Sequence, residues 1–224
     1  MTILALEFSS LQRSVAVARA GRVLGEVIET GAGFQPDQKT GATGAFSMVE
    51  GALREARLER EQIEVLAVGL GPGSYTGVRA ALAVAQGWQL ARGARLLGVC
   101  SVDCLAAQAQ AERVFGRVNV IVDAQRNEFY LATYEISADR WSAIEPLQIV
   151  TMGEIQSRAE AREILIGPAV TRWFPDGRMM FPRAATLARL AVQQDGLVAG
   201  ERLEPIYLRE ANFVKAPARK PTAF

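Results

Sequence analysis

The sequence predicts a two-lobed α/β fold in which one β-β-β-α-β-α unit is used twice. Two observations carry this. Thr2–Phe8, Arg13–Arg19 and Val23–Thr30 read as three consecutive strands whose connections are too short for crossovers, hence an antiparallel meander. A second such opening begins at Val118. There Val120-Ile-Val-Asp123 lies over Leu4-Ala-Leu-Glu7: in both copies an acid ends a buried strand, a short polar turn follows, and an alternating strand returns. The 224 residues, 50% apolar and 22% charged, suffice for one large domain or two small lobes and exclude wholesale disorder.

Between the two openings, Gly31–Gly44 reads as a loop. Phe46, Val49, Leu53 and Ala56 fall three or four apart, as on one helix face. Ile63–Leu70 is a buried strand, Val78–Arg92 a helix, Arg95–Val99 a strand, and Ser101–Gln110 a helix with Ser101 as its expected N-cap. In the second half, Val118–Asp123, Glu128–Ile136 and Pro146–Thr151 are strands. Gly153–Ala161 and Thr186–Gln194 read as helices, and Glu163–Ile166 as a strand. Two acid-tipped hairpin units in series describe the actin-like, ribonuclease H-like architecture shared by actin, Hsp70 and sugar kinases. The lobes are expected at 1–110 and 111–212, with a loose basic tail at 213–224.

Composition removes several chemistries. The chain has no histidine, so every Ser-His-Asp or Cys-His arrangement and every His-ligated metal site is excluded. Cys100 and Cys104 are four apart rather than Cys-x-x-Cys and read as reduced structural thiols of a cytoplasmic protein. Lys+Arg of 25 against Asp+Glu of 24 argues against a dedicated nucleic-acid binder. No apolar run approaches the roughly 18 residues of a membrane span, so no membrane partner is expected.

The most distinctive stretch is Gly69-Leu-Gly-Pro-Gly-Ser-Tyr-Thr-Gly77-Val-Arg79, a glycine loop between a strand and a helix. Phosphates bind at such places because free N–H groups and the helix dipole converge there. The loop lacks the Gly-Lys-Ser/Thr of a P-loop, and Pro72 removes one N–H. A tight turn that needs glycine φ angles explains it equally well. Glu7 and Asp123 stand where this architecture places its phosphate-site acids, and with Gly71 and Gly73 they outline a vestigial nucleotide site. Glutamate is longer than the usual aspartate and crowds the space of a metal-bound water, so no ATP turnover is expected. In the helix that follows, Val78, Ala81, Leu82, Ala85 and Trp88 form one apolar face, and Ala80, Val84, Gly87 and Ala91 a second of small residues. A helix apolar nearly all round is buried on both sides, in the fold or against a partner. The small-residue face, with Phe46, Val49 and Leu53 of the preceding helix, is the candidate partner surface.

These residues resemble a family. Ile3-Leu-Ala-Leu-Glu-Phe-Ser-Ser10 followed by Ser14-Val-Ala-Val resembles the I-L-A-I-D-T-S…S-V-A opening of the bacterial TsaB (YeaZ) family. Gly71-Pro-Gly-Ser-Tyr-Thr-Gly-Val-Arg79 is similar to its G-P-G-S-F-T-G-L-R signature, and Gly98-Val-Cys-Ser-Val-Asp-Cys-Leu-Ala106 to its G-V-S-S-L-x-x-L-A segment. Asp123-Ala-Gln-Arg-Asn-Glu-Phe-Tyr130 is similar to D-A-R-x-x-E-V-Y, and Pro205-Ile-Tyr-Leu-Arg209 to P-x-Y-L-R. The resemblance implies a part in making N6-threonylcarbamoyladenosine beside the anticodon of tRNAs. It implies a non-catalytic subunit paired with TsaD, a larger homologue that carries the metal-binding histidines and the transfer chemistry. The small ATPase TsaE completes the complex, and tRNA is reached through it. Two positions depart from the family: Glu7 replaces an aspartate, which implies weak or absent ATP or ADP binding, and Gln38-Lys-Thr-Gly-Ala stands where a histidine is frequent.

Two other readings compete. A stand-alone small ATPase or phosphotransferase of the same fold would carry an aspartate–glycine–threonine phosphate loop, which Glu7-Phe-Ser-Ser lacks. An acyl-peptidase would need a metal triad or a nucleophile–base pair, and the sequence offers neither. Whether the isolated chain forms a homodimer is open.

Overall fold

Alternation along the first strands decides which way each side chain faces, and this sorts the chain into layers. The computed structural model describes residues 1–29, 42–193 and 203–208. Strands β1 (Thr2–Glu7), β2 (Arg13–Arg19), β3 (Arg22–Glu29), β4 (Val65–Gly69) and β5 (Arg95–Val99) form a five-stranded sheet in the order β3-β2-β1-β4-β5. Strands β6 (Gly116–Asp123), β7 (Glu128–Ile136), β8 (Trp141–Thr151), β9 (Ile164–Gly167) and β10 (Arg178–Met179) form a second in the order β8-β7-β6-β9-β10. The two orders coincide when β6 is set on β1. Each sheet has its first strand at the centre, antiparallel to its hairpin partner and parallel to the fourth strand. Glu7 and Asp123 end those central strands, so the duplication expected from the acid-tipped hairpins organises the fold.

In the first sheet Leu4, Leu6, Val15, Val17, Leu66 and Val68 face helices α1 (Ala42–Ala56) and α2 (Tyr75–Arg92). The opposite face, Ile3, Ala5, Ala16, Ala18, Val65 and Ala67, packs on α5 (Ala184–Gln193) from the second half of the chain. This inner face is largely alanine, so α5 lies close to the sheet. Helix α3 (Ser101–Ala111) does the reverse. It follows β5, yet Val102, Leu105, Ala106 and Ala109 pack on Val118, Val120, Ala132 and Tyr134 of the second sheet. Helices α3 and α5 touch and form a middle layer between the sheets. Across the boundary expected near residue 110, each half thus lends its last helix to the other's sheet. Helix α4 (Met152–Glu160) covers the outer face of the second sheet, with Ile155 against Ile121, Phe129 and Leu131. Beside it Asn119 and Thr133, both fully buried, meet the guanidinium of Arg158, which pairs with Glu145 at 2.6 Å.

Three local expectations are corrected. Helix α2 begins before Val78 because Ser74 caps it, its hydroxyl accepting from the Gly77 N–H at 3.2 Å. Ser101 does not cap α3: Cys100 holds the cap position without a side-chain capping bond, and the Ser101 hydroxyl turns to Glu7. In α1 the buried face is Ala45, Met48, Val49, Ala52 and Leu53, which leaves Phe46 half exposed. Most of the expected 31–44 loop and all of the 213–224 tail lie outside the described residues.

Tyr134, 1% exposed on β7, donates its hydroxyl to Asp103 Oδ1 of α3 at 2.6 Å. Tyr134→Phe should leave a half-buried carboxyl short of a donor and cost about 1–3 kcal/mol, read as a lower Tm in thermal unfolding.

Candidate functional site

The two hairpin turns and the glycine loop meet at a cleft of about 550 Å³. Ser9, Pro72, Gly73 and Tyr75 line it from the first half, and Val122, Asp123, Tyr130 and Arg172 from the second. A third wall is a strap, residues 203–208, that returns from beyond α5. Its Leu203 is buried against Gly98, and its Ile206 N–H donates to the Leu70 carbonyl at 2.9 Å. Tyr207 faces Tyr75 with ring centres 5.6 Å apart, Arg79 lies over the Tyr75 ring at 4.1 Å, and Arg79 Nε donates to the Tyr207 hydroxyl at 3.2 Å. Sequence reasoning met Pro205-Ile-Tyr-Leu only as a family pattern. Its role as a cleft wall depends on a contact over 120 residues long in sequence, which periodicity does not report.

The four residues expected to outline a nucleotide site part ways here. Gly73 and Asp123 line the cleft. Glu7 and Gly71 do not, which corrects the expectation for both. Glu7 is fully buried; its Oε1 accepts from the Ser9 N–H at 2.8 Å and its Oε2 from the Ser101 hydroxyl at 2.9 Å. Gly71 spends its N–H on Ser101 Oγ at 3.2 Å, and Ser74 spends its own on the Ser9 carbonyl at 2.7 Å. Donors that a phosphate would need are therefore committed inside the protein. Asp123 accepts from the Gln125 N–H at 2.7 Å and Gln125 Nε2 at 3.1 Å. It sits beside a turn where Gln125, Arg126 and Asn127 take left-handed φ values of 65, 60 and 61°.

Electrostatics agree with this geometry. Burial raises the Glu7 carboxyl above its ordinary range, against the opposing hydrogen bonds from Ser9 and Ser101. Burial likewise raises Asp103, and it pushes the Cys100 thiol up to about 12 and the Cys104 thiol well above its usual value. Neither sulfur is a thiolate nucleophile at neutral pH. Among the described residues, no group of three His, Cys, Asp or Glu side chains could hold a metal ion. No described helix is long and apolar enough to cross a membrane.

A family model described as TsaD, tRNA N6-adenosine threonylcarbamoyltransferase, matches residues 24–215. The tRNA threonylcarbamoyladenosine biosynthesis protein TsaB of Escherichia coli is 27% identical over 226 residues, covering 93% of this chain and 95% of that one. The protein of the same name from Haemophilus influenzae is 29% identical, covering 98% and 99%. The solved structure of YeaZ from Pseudomonas aeruginosa superposes with a TM-score of 0.72 at 26% identity, over 92% of this chain and 99% of that one. The chain belongs to the TsaD family, in its TsaB (YeaZ) branch.

In this TsaB-family chain the candidate partner residues divide by burial. Val49, Leu53 and Val84 are 1%, 5% and 6% exposed and belong to the core under α1 and α2, so they are corrected from partner surface to packing. Phe46, Gly87 and Ala91 are exposed and Ala80 is half-buried. A Cβ at Gly87 would meet nothing within 4 Å, so that glycine does not face the chain's own sheet. Composition alone missed Leu90, which is 89% exposed on the same helix.

Because the folded protein holds the Glu7 proton more tightly than the unfolded chain, whose carboxyl titrates near 4.5, the folded state binds more protons above that pH. This contribution to stability falls as pH rises past 4.5. Tm followed from pH 4.5 to neutrality should drop less in Glu7→Gln than in the parent; an identical slope would show that burial does not perturb the group.

Proposed function

We propose that the chain is a non-catalytic, activating subunit of N6-threonylcarbamoyladenosine synthesis on tRNA, and that it acts by pairing with a larger TsaD-like homologue. The observation that supports this most is the inward commitment of the chemical groups. The acid at the phosphate position is buried and bonded, the thiols are raised, and a chain without histidine has none of the metal-binding histidines implied for the TsaD-like partner. The relatives named for threonylcarbamoyladenosine biosynthesis supply the pathway. A TsaE-like ATPase and tRNA join through the complex. The chain itself requires no cofactor and does not turn over ATP.

The outward face of α2 supports the pairing. Thr76, Ala80, Ala83, Gly87 and Leu90 follow at intervals of four, three, four and three, the spacing of a helix–helix seam. Ala83, Gly87 and Leu90 are exposed, and Phe46 stands half exposed on the adjoining α1. Small residues let a partner helix approach, and Leu90 is an apolar side chain that water gives no reason to keep. A homologue with the same helices presents a matching face.

Three outcomes follow from this reading. Given tRNA, ATP and a threonylcarbamoyl donor, purified TsaD-like and TsaE-like homologues should modify the tRNA only when this chain is added, as read by nucleoside analysis of the digested tRNA; transfer by this chain alone would overturn the reading. Titration with ATP and magnesium should give neither binding heat nor phosphate release. Gly87→Leu should keep the parent Tm, since nothing in the fold opposes the new side chain, yet hold the two helices apart. An overpacking penalty of about 1–3 kcal/mol corresponds to an affinity loss of roughly tenfold to a hundredfold. Full-strength binding by the folded variant would place the interface elsewhere.

A further inference from the structure

We propose that Glu7 is a positioning residue: from inside the fold it sets the glycine loop, and through the loop the first turn of α2, in the place from which that helix docks. The docking half rests on the reading of α2 given above; the setting of the loop does not.

Two hydrogen-bonded routes lead from the Glu7 carboxyl to α2. On one side Oε1 accepts from the Ser9 N–H at 2.8 Å, and the Ser9 carbonyl accepts from the N–H of Ser74, the residue that caps α2, at 2.7 Å. On the other, Oε2 accepts from the Ser101 hydroxyl at 2.9 Å. That hydroxyl oxygen takes the Gly71 N–H at 3.2 Å, while the Ser101 N–H donates to the Gly71 carbonyl at 2.8 Å. One carboxyl therefore holds the loop at Gly71 and at Ser74, and of the residues involved all but Ser74 are buried.

The glycines give an independent reason for the same assignment. A Cβ at Gly69 would collide with the Glu7 carboxyl, one at Gly73 with the Ser9 carbonyl, and one at Gly77 with the Phe8 carbonyl. Three glycines of the Gly69–Arg79 stretch thus answer to the Glu7–Ser9 segment pressed beneath them. Among the described residues no cation pairs with Glu7. A glutamate has the extra methylene needed to reach past β4 to Ser101 on α3, and Gly69, beside it on β4, leaves the room. The glycine loop is closed here on an internal acid.

Amide hydrogen exchange on the full chain tests this, with Ser101→Ala, Glu7→Gln and Gly69→Ala. Ser101→Ala removes the link to Gly71, Glu7→Gln turns an amide N–H₂ toward one of the two donors, and Gly69→Ala displaces the carboxyl. Each should speed exchange at Gly71 and Ser74 by about tenfold to a hundredfold and leave β7 as in the parent. Affinity for the TsaD-like homologue should fall in the same order as the exchange rates rise, with Tm ranked differently. Unchanged exchange at Gly71 and Ser74 in folded variants overturns the proposal. Should Glu7→Gln not fold, the other two variants decide. A parent chain that never binds the homologue overturns the docking reading alone, and the exchange rates still decide whether Glu7 sets the loop.

Discussion

A sheet must be coated on both faces or leave apolar side chains in water, and neither sheet of this chain can coat both with helices from its own half. Helices α1 and α2 cover only the outer face of the first sheet, and α4 only the outer face of the second. The inner faces are covered by exchange, α5 going to the first sheet and α3 to the second. Much else follows from that shared middle layer. Alanines line the first sheet's inner face because a helix must lie close to it. The first turn of α3 is polar because it has two sheets to hold: Ser101 bonds Glu7 of the first, and Asp103 takes the hydroxyl of Tyr134 from the second. The cleft between the hairpin turns is framed by parts whose spacing this buried layer fixes.

The strands were legible because strands buried on both faces read as short apolar runs bounded by turn residues, and β2, β5 and β7 fall where the pattern places them. The repeat was legible too, since an acid at the end of a buried strand is unusual enough to be noticed twice. Helix faces were less so. Phe46 fits the spacing of a core position as well as Met48 does, and only the tilt of α1 on the sheet chooses between them. The site was half legible. Acid and glycine loop lie against each other, but a sequence does not say whether a carboxyl points into a cleft or under a loop. That depends on Ser101, which reads equally well as a helix cap.

Among the described residues the Glu7 carboxyl is bonded inside the fold and burial raises both thiols, whereas alanine, glycine and leucine are displayed along an outer helix.

The lending of helices across the two halves also constrains how the chain comes into being. Strands β1 to β5 leave the ribosome long before α5, so the inner face of the first sheet has no coat while the second half is still being made. Pairings between segments so distant in sequence form late and slowly. The first half is therefore not a separate folding unit, and the nascent chain carries an open apolar sheet face until its last described helix arrives. Synthesis exposes it to holding chaperones while the chain between β5 and α5 is being made, a cost that a fold with self-contained halves would avoid.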